Sequence, residues 1–83
     1  MTSNKEHRPS IRLSCLDDEK CSIFFEPWGT EHVLLKGDFI FVKSEAFSTG
    51  DVEVSYVNGG IALTFTADDD IEILHSSGAR LSI

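Results

Sequence analysis

Apolar and polar residues alternate with a period of two along most of the chain after Pro9, and short clusters of Gly, Asp, Asn and Ser interrupt them. Such alternation is typical of strands with one face in a core and the other in water, and the interruptions are typical of turns. Helical periodicity is nearly absent. The pattern predicts strands at about residues 11–16, 21–26, 30–35, 39–44, 51–57, 61–66, 71–75 and 79–83.

The clearest element is the segment DVEVSYVNGGIALTFT, which begins at Asp51. Val52, Val54 and Tyr56 alternate with polar residues, and the following Asn-Gly-Gly supplies residues that tolerate positive φ in a turn. The segment predicts a β-hairpin with this apolar face in the core. Six to eight such strands, about ten residues apart, predict an all-β domain, either a compact antiparallel sandwich or a jelly-roll-like (cupin-like) barrel.

The length of 83 residues allows one domain, because so small a core buries only about 60% of the surface of the unfolded chain. We expect a flexible N-terminal tail over residues 1–9 and a single all-β domain over residues 10–83. The N-terminal residues MTSNKEHRPS have no apolar region typical of a secretory signal, and no apolar run is long enough to span a bilayer. A cytoplasmic protein without membrane contact is the resulting expectation.

Two cysteines, Cys15 and Cys21, flank the residues LDDEK. In a hairpin that turns at residues 17–19 they would lie directly opposite each other, a register that permits a disulfide. In a reducing cytosol, however, two free thiols are the expected state.

The net charge of −7 is distributed unevenly. Residues 1–12 carry +2, whereas residues 13–83 contain four basic and thirteen acidic side chains, a net charge of −9. An acidic body repels phosphate backbones, so direct binding to nucleic acid is not expected. The charge serves solubility, or it marks a mimic of nucleic acid or a cap on a basic partner.

Two predicted strands are apolar on both faces and need cover on both. In CSIFFE, Phe24 faces away from its apolar neighbours, and in FIFV, Ile40 and Val42 face away from two phenylalanines. The pattern predicts that an apolar face formed by Phe24, Ile40 and Val42 packs against a second subunit, as in a homodimer, or against a ligand. Cover by the N-terminal arm or by a curled sheet is the alternative.

The segment EPWG predicts a corner between two strands, because Pro27 has no amide donor and Gly29 tolerates backbone angles that other residues disfavour. Trp28 either folds back over the end of the sandwich or anchors a partner at an interface. Glu26 and Glu31 flank it and could bind a cation or a basic ligand.

The side chains that carry most enzymatic chemistry show no recognisable spacing. The histidines are scattered, and no motif for a nucleophile or a phosphate-binding loop occurs. No catalytic residue, metal site or cofactor is therefore predicted. A small metal-dependent, cupin-like enzyme built around His32, His75 and Glu31 is kept as an alternative.

The order FFEPWGTEHVLLKGDFIFV is similar to that of short uncharacterised bacterial all-β proteins, in which a strand ends in EPWG and the next leads through L-x-x-G-D into another apolar strand. This resemblance covers about twenty residues and implies no activity. The fragment LLKGDFIFV also resembles the turn and strand of cupin-type jelly rolls. The cupin metal set is missing, so this second resemblance implies the fold without its metal chemistry.

These observations predict a non-enzymatic binding module, dimeric through an apolar sheet face, whose partner is a protein, a second copy or a small ligand. An acidic inhibitor or immunity-like protein that caps a basic site is the alternative from another class. The predicted binding residues are Trp28, Phe24, Ile40, Val42, Glu26, Glu31 and His32.

Overall fold

The computed structural model describes residues 8–83, which form eight short strands and one short helix. The elements are β1 (Ser10–Ser14), β2 (Lys20–Glu26), β3 (Thr30–Leu35), β4 (Phe39–Lys43), α1 (Ala46–Thr49), β5 (Val52–Val57), β6 (Gly60–Phe65), β7 (Glu72–His75) and β8 (Arg80–Leu81). Every predicted strand is present, with ends that differ by a few residues.

Most of the predicted N-terminal tail, residues 1–7, lies outside the described residues. The two residues that complete it contact the body of the domain. The guanidinium of Arg8 lies 3.7 Å from the carboxylate of Glu72, and the amide of Ser44 donates a hydrogen bond of 3.0 Å to the carbonyl of Pro9.

The strands form two four-stranded sheets, which we name sheet A, in the order β1-β4-β7-β8, and sheet B, in the order β3-β2-β6-β5. The predicted all-β sandwich of short strands is thereby confirmed. One pair departs from the antiparallel expectation, because β2 and β6 are parallel. The chain leaves sheet B after β3, forms β4 in sheet A, and returns through β5, so that β6 runs beside β2 in the same direction.

The core lies between the two sheets and consists of alternate residues from their inner faces. Burial of these side chains is the main favourable contribution to folding, at about 25 cal/mol per Å² of apolar surface. Six large side chains of this core are almost completely buried: Phe25, Leu34, Ile40, Val42, Leu63 and Ile73.

The helix α1 closes one end of the core, although its segment AFSTG reads as a turn in the sequence. Four residues are too few to show helical periodicity. Ala46 is buried, the ring of Phe47 lies edge-on to Phe65 with centroids 6.2 Å apart, and Gly50 ends the helix in the left-handed conformation.

The hairpin of β5 and β6 forms as predicted, but its apolar face is only partly in the core. Val52 is half-buried, whereas Val54 is 55% exposed and Tyr56 is 95% exposed. All three lie on the same side of sheet B as the buried residues of β6. Sheet A does not cover Val54 and Tyr56. The alternation of residues along the chain cannot predict this, because it depends on how far the opposite sheet extends.

The parallel contact between β2 and β6 includes Gly60, which pairs with Ser22. A β-carbon at Gly60 would collide with the carbonyl oxygen of Ser22 and lie 2.7 Å from its carbonyl carbon. Because these are backbone atoms, no side-chain rotation can relieve the collision. Glycine is therefore required here for space rather than for a positive φ.

We expect Gly60→Ala to lower the free energy of unfolding by about 3 kcal/mol, the upper end of the cost of overpacking. Gly59→Ala is the matched control, because its β-carbon would meet nothing within 4 Å and only its φ of 83° is unfavourable. Its expected cost is about 1 kcal/mol. Urea unfolding of both variants measures the difference, and equal losses would show that the strand contact can open at no cost.

Candidate functional site

The predicted binding residues fall in three different places in the structure. Phe24, Glu26 and Glu31 lie on the outer face of sheet B, and Trp28 lies in the turn after β2. The other predicted residues, His32, Ile40 and Val42, belong to the inside of the sandwich.

The prediction that Ile40 and Val42 present an exposed apolar face is wrong. Both side chains are completely buried, because they are the residues of β4 that point at sheet B. Their neighbours Phe39 and Phe41 therefore point outward, with ring centroids 5.5 Å apart in an edge-to-face arrangement. Alternation along β4 establishes two faces, but only the packing of the sheets decides which one is inside.

The outer phenylalanines of β4 are covered from within the chain. The guanidinium carbon of Arg12 lies 3.9 Å from the ring centroid of Phe39 and 6.0 Å from that of Phe41. β1 pairs with β4 so that Arg12 stands directly opposite Phe41, which places the cation over the aromatic faces. No second subunit is needed to explain the two apolar faces of β4.

Sheet B has a different outer face, to which each of its four strands contributes an apolar residue and where those of β2, β3 and β5 reach the surface. Phe24 pairs directly with Ala62, and the residues of β3 and β5 lie one row away. A groove of about 310 Å³ runs beside Phe24 and Ala62 toward the β5–β6 turn. We name this set the apolar stripe; in strand order from β3 to β5 it consists of Val33, Phe24, Ala62 and Val57.

Two members of the apolar stripe are large and exposed, since Val33 is 51% exposed and Val57 is 40% exposed. The sequence prediction identified Phe24 but not the other three. The exposure of Val33 could have been predicted from the sequence. Glu31, Val33 and Leu35 alternate with His32 and Leu34 along the strand, so Val33 shares a face with Glu31. Ala62 and Val57 have no such signal, because only the pairing of β6 with β2 brings them beside Phe24.

Three carboxylates occupy one end of the same face, and we name Glu26, Glu31 and Glu53 the acidic end. Glu26 and Glu53 stand on either side of Thr64, two strands apart and therefore separated by about 10 Å. Glu31 lies opposite Phe24 and accepts a hydrogen bond of 2.5 Å from the hydroxyl of Ser22. The four strands of sheet B contain a single Lys and no Arg, and Lys20 stands at the far end of β2.

Trp28 is divided between the core and the solvent. The peptide bond between Glu26 and Pro27 is cis, and the amide of Gly29 closes the turn by donating to the carbonyl of Phe25 at 3.0 Å. One side of the indole rests on Phe65, with centroids 5.9 Å apart, and the side chain remains 48% exposed. Part of the ring therefore folds back over the end of the sandwich, and its use as an anchor for a partner stays a prediction.

His32 is separated from the predicted carboxylate partners by its position on the strand. Glu31 points outward, so His32 points inward, where its ring lies edge-on to Phe25 and its Nε2 is 2.8 Å from the carbonyl of Ser82. This contact ties the C-terminal segment to sheet B. His32 is therefore placed to hold the two sheets together rather than to bind a partner on the outer face.

The residues of the alternative metal site are not arranged as one group. The Nε2 of His75 lies 3.5 Å from a carboxylate oxygen of Asp38, and its Nδ1 contacts Ser77. Glu31 faces the opposite side of sheet B from His32. Within residues 8–83, no set of three or more His, Cys, Asp or Glu side chains is placed to hold a metal ion.

The two cysteines form a disulfide, contrary to the expectation of free thiols. The predicted hairpin between them is also wrong, because β1 belongs to sheet A and β2 to sheet B. Cys15 is completely buried at the end of β1, Cys21 lies near the start of β2, and their Cα atoms are 5.7 Å apart. The bond therefore links the two sheets where the chain passes from one to the other.

We expect reduction of the Cys15–Cys21 disulfide to lower the free energy of unfolding by about 2 kcal/mol, the loop-closure value for so short a ring. Urea unfolding with and without a reductant measures the change. The double variant Cys15→Ala/Cys21→Ala is the control, because its stability should not respond to the reductant. Two thiols that react with a thiol reagent in the folded, air-oxidised protein would contradict the bond.

The chain matches no protein-family model, and no curated protein and no solved structure is similar to it. The resemblances based on EPWG and on the cupin-like fragment therefore remain predictions. In the described part of the chain, no helix has the length and apolar character that crossing a membrane requires.

Proposed function

We propose that this protein is a non-enzymatic binding module whose outer face of sheet B binds a protein surface that is both apolar and basic. This proposal rests on the apolar stripe, which crosses the four strands of sheet B and ends beside three carboxylates. No Lys or Arg of sheet B lies next to these carboxylates to neutralise them. Exposed apolar patches with a charged border are typical of sites for protein partners.

The two parts of this face have different physical roles. The apolar stripe supplies affinity, because Phe24 and Val33 lose contact with water when a partner covers them. The acidic end selects a cationic partner and speeds its approach, since the body of the protein, residues 13–83, carries −9. The same charge disfavours nucleic acid, whose phosphates would be repelled.

Trp28 extends this site at the corner that follows β2. It lies two residues after Glu26, and the exposed part of its ring is available to a partner while the other part stays on Phe65. Tryptophans in such positions often contribute much of the binding energy at interfaces. A more specific form of the proposal is that this corner binds a small aromatic or cationic ligand.

An acidic inhibitor that caps the basic site of another protein is a second candidate. The charge of −9 on residues 13–83 and the clustering of Glu26, Glu31 and Glu53 favour it. The two candidates differ in how strongly salt should weaken binding, because an inhibitor that binds through its charge would lose more of its binding energy to screening. Charged contacts at the surface weaken strongly above about 0.1 M salt, where the screening length is about 10 Å, whereas apolar contacts persist.

The experiment uses a synthetic peptide of alternating Leu and Lys as a probe, with Leu-Glu and Ser-Lys peptides of equal length as controls. We expect only Leu-Lys to bind well and to shift the backbone NMR signals of the apolar stripe and the acidic end. Phe24→Ser should weaken this binding about tenfold, equivalent to about 1.4 kcal/mol. Leu16→Ser is the matched control, because Leu16 is 71% exposed in the β1–β2 loop, away from this face.

The charged component is tested with the triple variant Glu26→Gln/Glu31→Gln/Glu53→Gln, which should remove most of the salt dependence of binding. Asp17→Asn, at the other end of β2, should leave it almost unchanged. Equal binding of the Leu-Lys and Leu-Glu peptides, or wild-type affinity of Phe24→Ser, would refute the proposed face. Binding that disappears entirely at high salt would favour the inhibitor candidate.

The cytoplasmic location stays a prediction. A disulfide such as Cys15–Cys21 is typical of oxidising compartments, so the bond points in the other direction. Rapid acid quenching of producing cells, followed by labelling of free thiols, would show whether the two cysteines are bonded where the protein resides.

A further inference from the structure

The edge strand β5 lacks the features that usually keep edge strands from pairing. It lies at the end of sheet B and runs for six residues, with Glu53 as its single charged side chain. Residues 54–67 contain no charged side chain, although the body of the chain is strongly acidic. Natural edge strands are commonly protected by Lys, Pro, bulges or short length, and β5 has none of these.

The pairing of β5 with β6 identifies which backbone groups are free at this edge. The amide of Thr66 donates to the carbonyl of Asp51 at 2.9 Å, so the backbone groups of Asp51 point toward β6. In an antiparallel pair this direction alternates along the strand. The N–H and C=O groups of Val52, Val54 and Tyr56 therefore point away from β6, at the open edge of the sheet.

The side chains at this edge are also uncovered. Val54 and Tyr56 lie on the inner side of sheet B, opposite Leu63 and Ile61, yet they are 55% and 95% exposed. Tyr56 stands at the side of an open groove of about 400 Å³ whose lining includes Leu13 and Ile61. A strand that pairs at this edge would place its own inward side chains beside Val54 and Tyr56 and reduce their exposure.

We propose that β5 pairs antiparallel with β5 of a second copy of this chain, about a two-fold axis at Ser55. Residues directly opposite each other in a sheet share a face, so this register places Val54 against Tyr56 of the second copy, and Tyr56 against its Val54. Both pairs use backbone groups that point to the open edge. Pairs of an aromatic and a β-branched residue are among the favourable cross-strand combinations.

Electrostatics disfavours the registers whose axis lies nearer to Glu53, and an axis at Tyr56 would instead place Val54 opposite Asn58, which lies beyond the end of the strand. An axis at Glu53 would place the two Glu53 carboxylates directly opposite each other, where like charges are destabilising. An axis at Val54 separates the two Glu53 positions by two residues, about 7 Å along the strand, whereas the axis at Ser55 separates them by four residues, about 13 Å. Only the last separation exceeds the screening length of about 8 Å at physiological salt.

The seam and the proposed binding face both include β5 but use different groups, because the seam uses its edge backbone and its inward side chains, whereas Glu53 and Val57 stay on the outer face. The four strands of sheet B would become eight in one continuous sheet, and the apolar stripe would stay accessible on the outer face of each copy. The dimer would present two copies of the binding face side by side. Loss of the dimer and loss of binding to the Leu-Lys peptide are consequently separate results.

The first test measures the mass of the protein in solution by sedimentation. We expect the wild type to have twice the 9.2 kDa mass of the chain. Tyr56→Ser should raise the dissociation constant of the dimer about tenfold or more, because two symmetric contacts are lost together. Leu16→Ser, also an exposed apolar residue, should leave the mass unchanged, and the Leu-Lys peptide should still bind Tyr56→Ser.

The second test establishes the register by cross-linking. With the axis at Ser55, its two Cα atoms face each other in a non-hydrogen-bonded pair at about 4.5 Å, within the range for a disulfide. Ser55→Cys should therefore form a covalent dimer under mild oxidation. Thr64→Cys is the control, since the two Thr64 positions would be separated by three strand spacings, about 14 Å, and by about 13 Å more along the strands.

Three results would overturn the proposal. They are a wild-type protein that sediments as a monomer, a Tyr56→Ser variant that dimerises as well as the wild type, and a Val54→Cys variant that cross-links faster than Ser55→Cys. Faster cross-linking of Val54→Cys would show that the two-fold axis lies at Val54 and not at Ser55.

Discussion

The close parallel contact between β2 and β6 is the constraint on which the rest of sheet B depends. Each of these strands also belongs to a hairpin, and their parallel pairing, which begins at Ser22 and Gly60, joins the two hairpins into one sheet. The contact requires a residue without a β-carbon, because the backbone of Ser22 occupies the space. The apolar stripe crosses this seam, and the open edge of β5 lies one strand beyond it.

Different contacts close the two ends of the sandwich and cover the outer face of sheet A. At one end, Phe47 and Trp28 rest on Phe65. Near the passage from β1 to β2, a disulfide fastens one sheet to the other. On the outer face of sheet A, Arg12 covers the phenylalanines of β4, so these two side chains are shielded by a residue of the same chain. Within residues 8–83, sheet B has no equivalent cover, and its outer face and its edge are therefore the surfaces proposed for partners.

The charge distribution supports different proposed partners for these two surfaces. The outer face of sheet B places the carboxylates of Glu26, Glu31 and Glu53 beside apolar side chains, an arrangement that attracts a basic partner and repels another copy of this acidic chain. The edge of β5 beyond Glu53 is uncharged. A second copy meets little repulsion there, and backbone hydrogen bonds are available to it. One small domain thus has room for self-association and for a separate partner.

The sequence alone was sufficient for the all-β class, the eight strands and the β5–β6 turn, because period-two alternation and residues such as Asn58 and Gly59 act locally. It also singled out Phe24, Glu26 and Trp28. It could not decide which face of β4 is buried, that β6 lies parallel to β2, or that Tyr56 projects beyond sheet A. Those outcomes depend on which strands become neighbours and how far each sheet extends. Alternation divides a strand into two faces, but only contacts between residues distant in the chain decide which face meets the core.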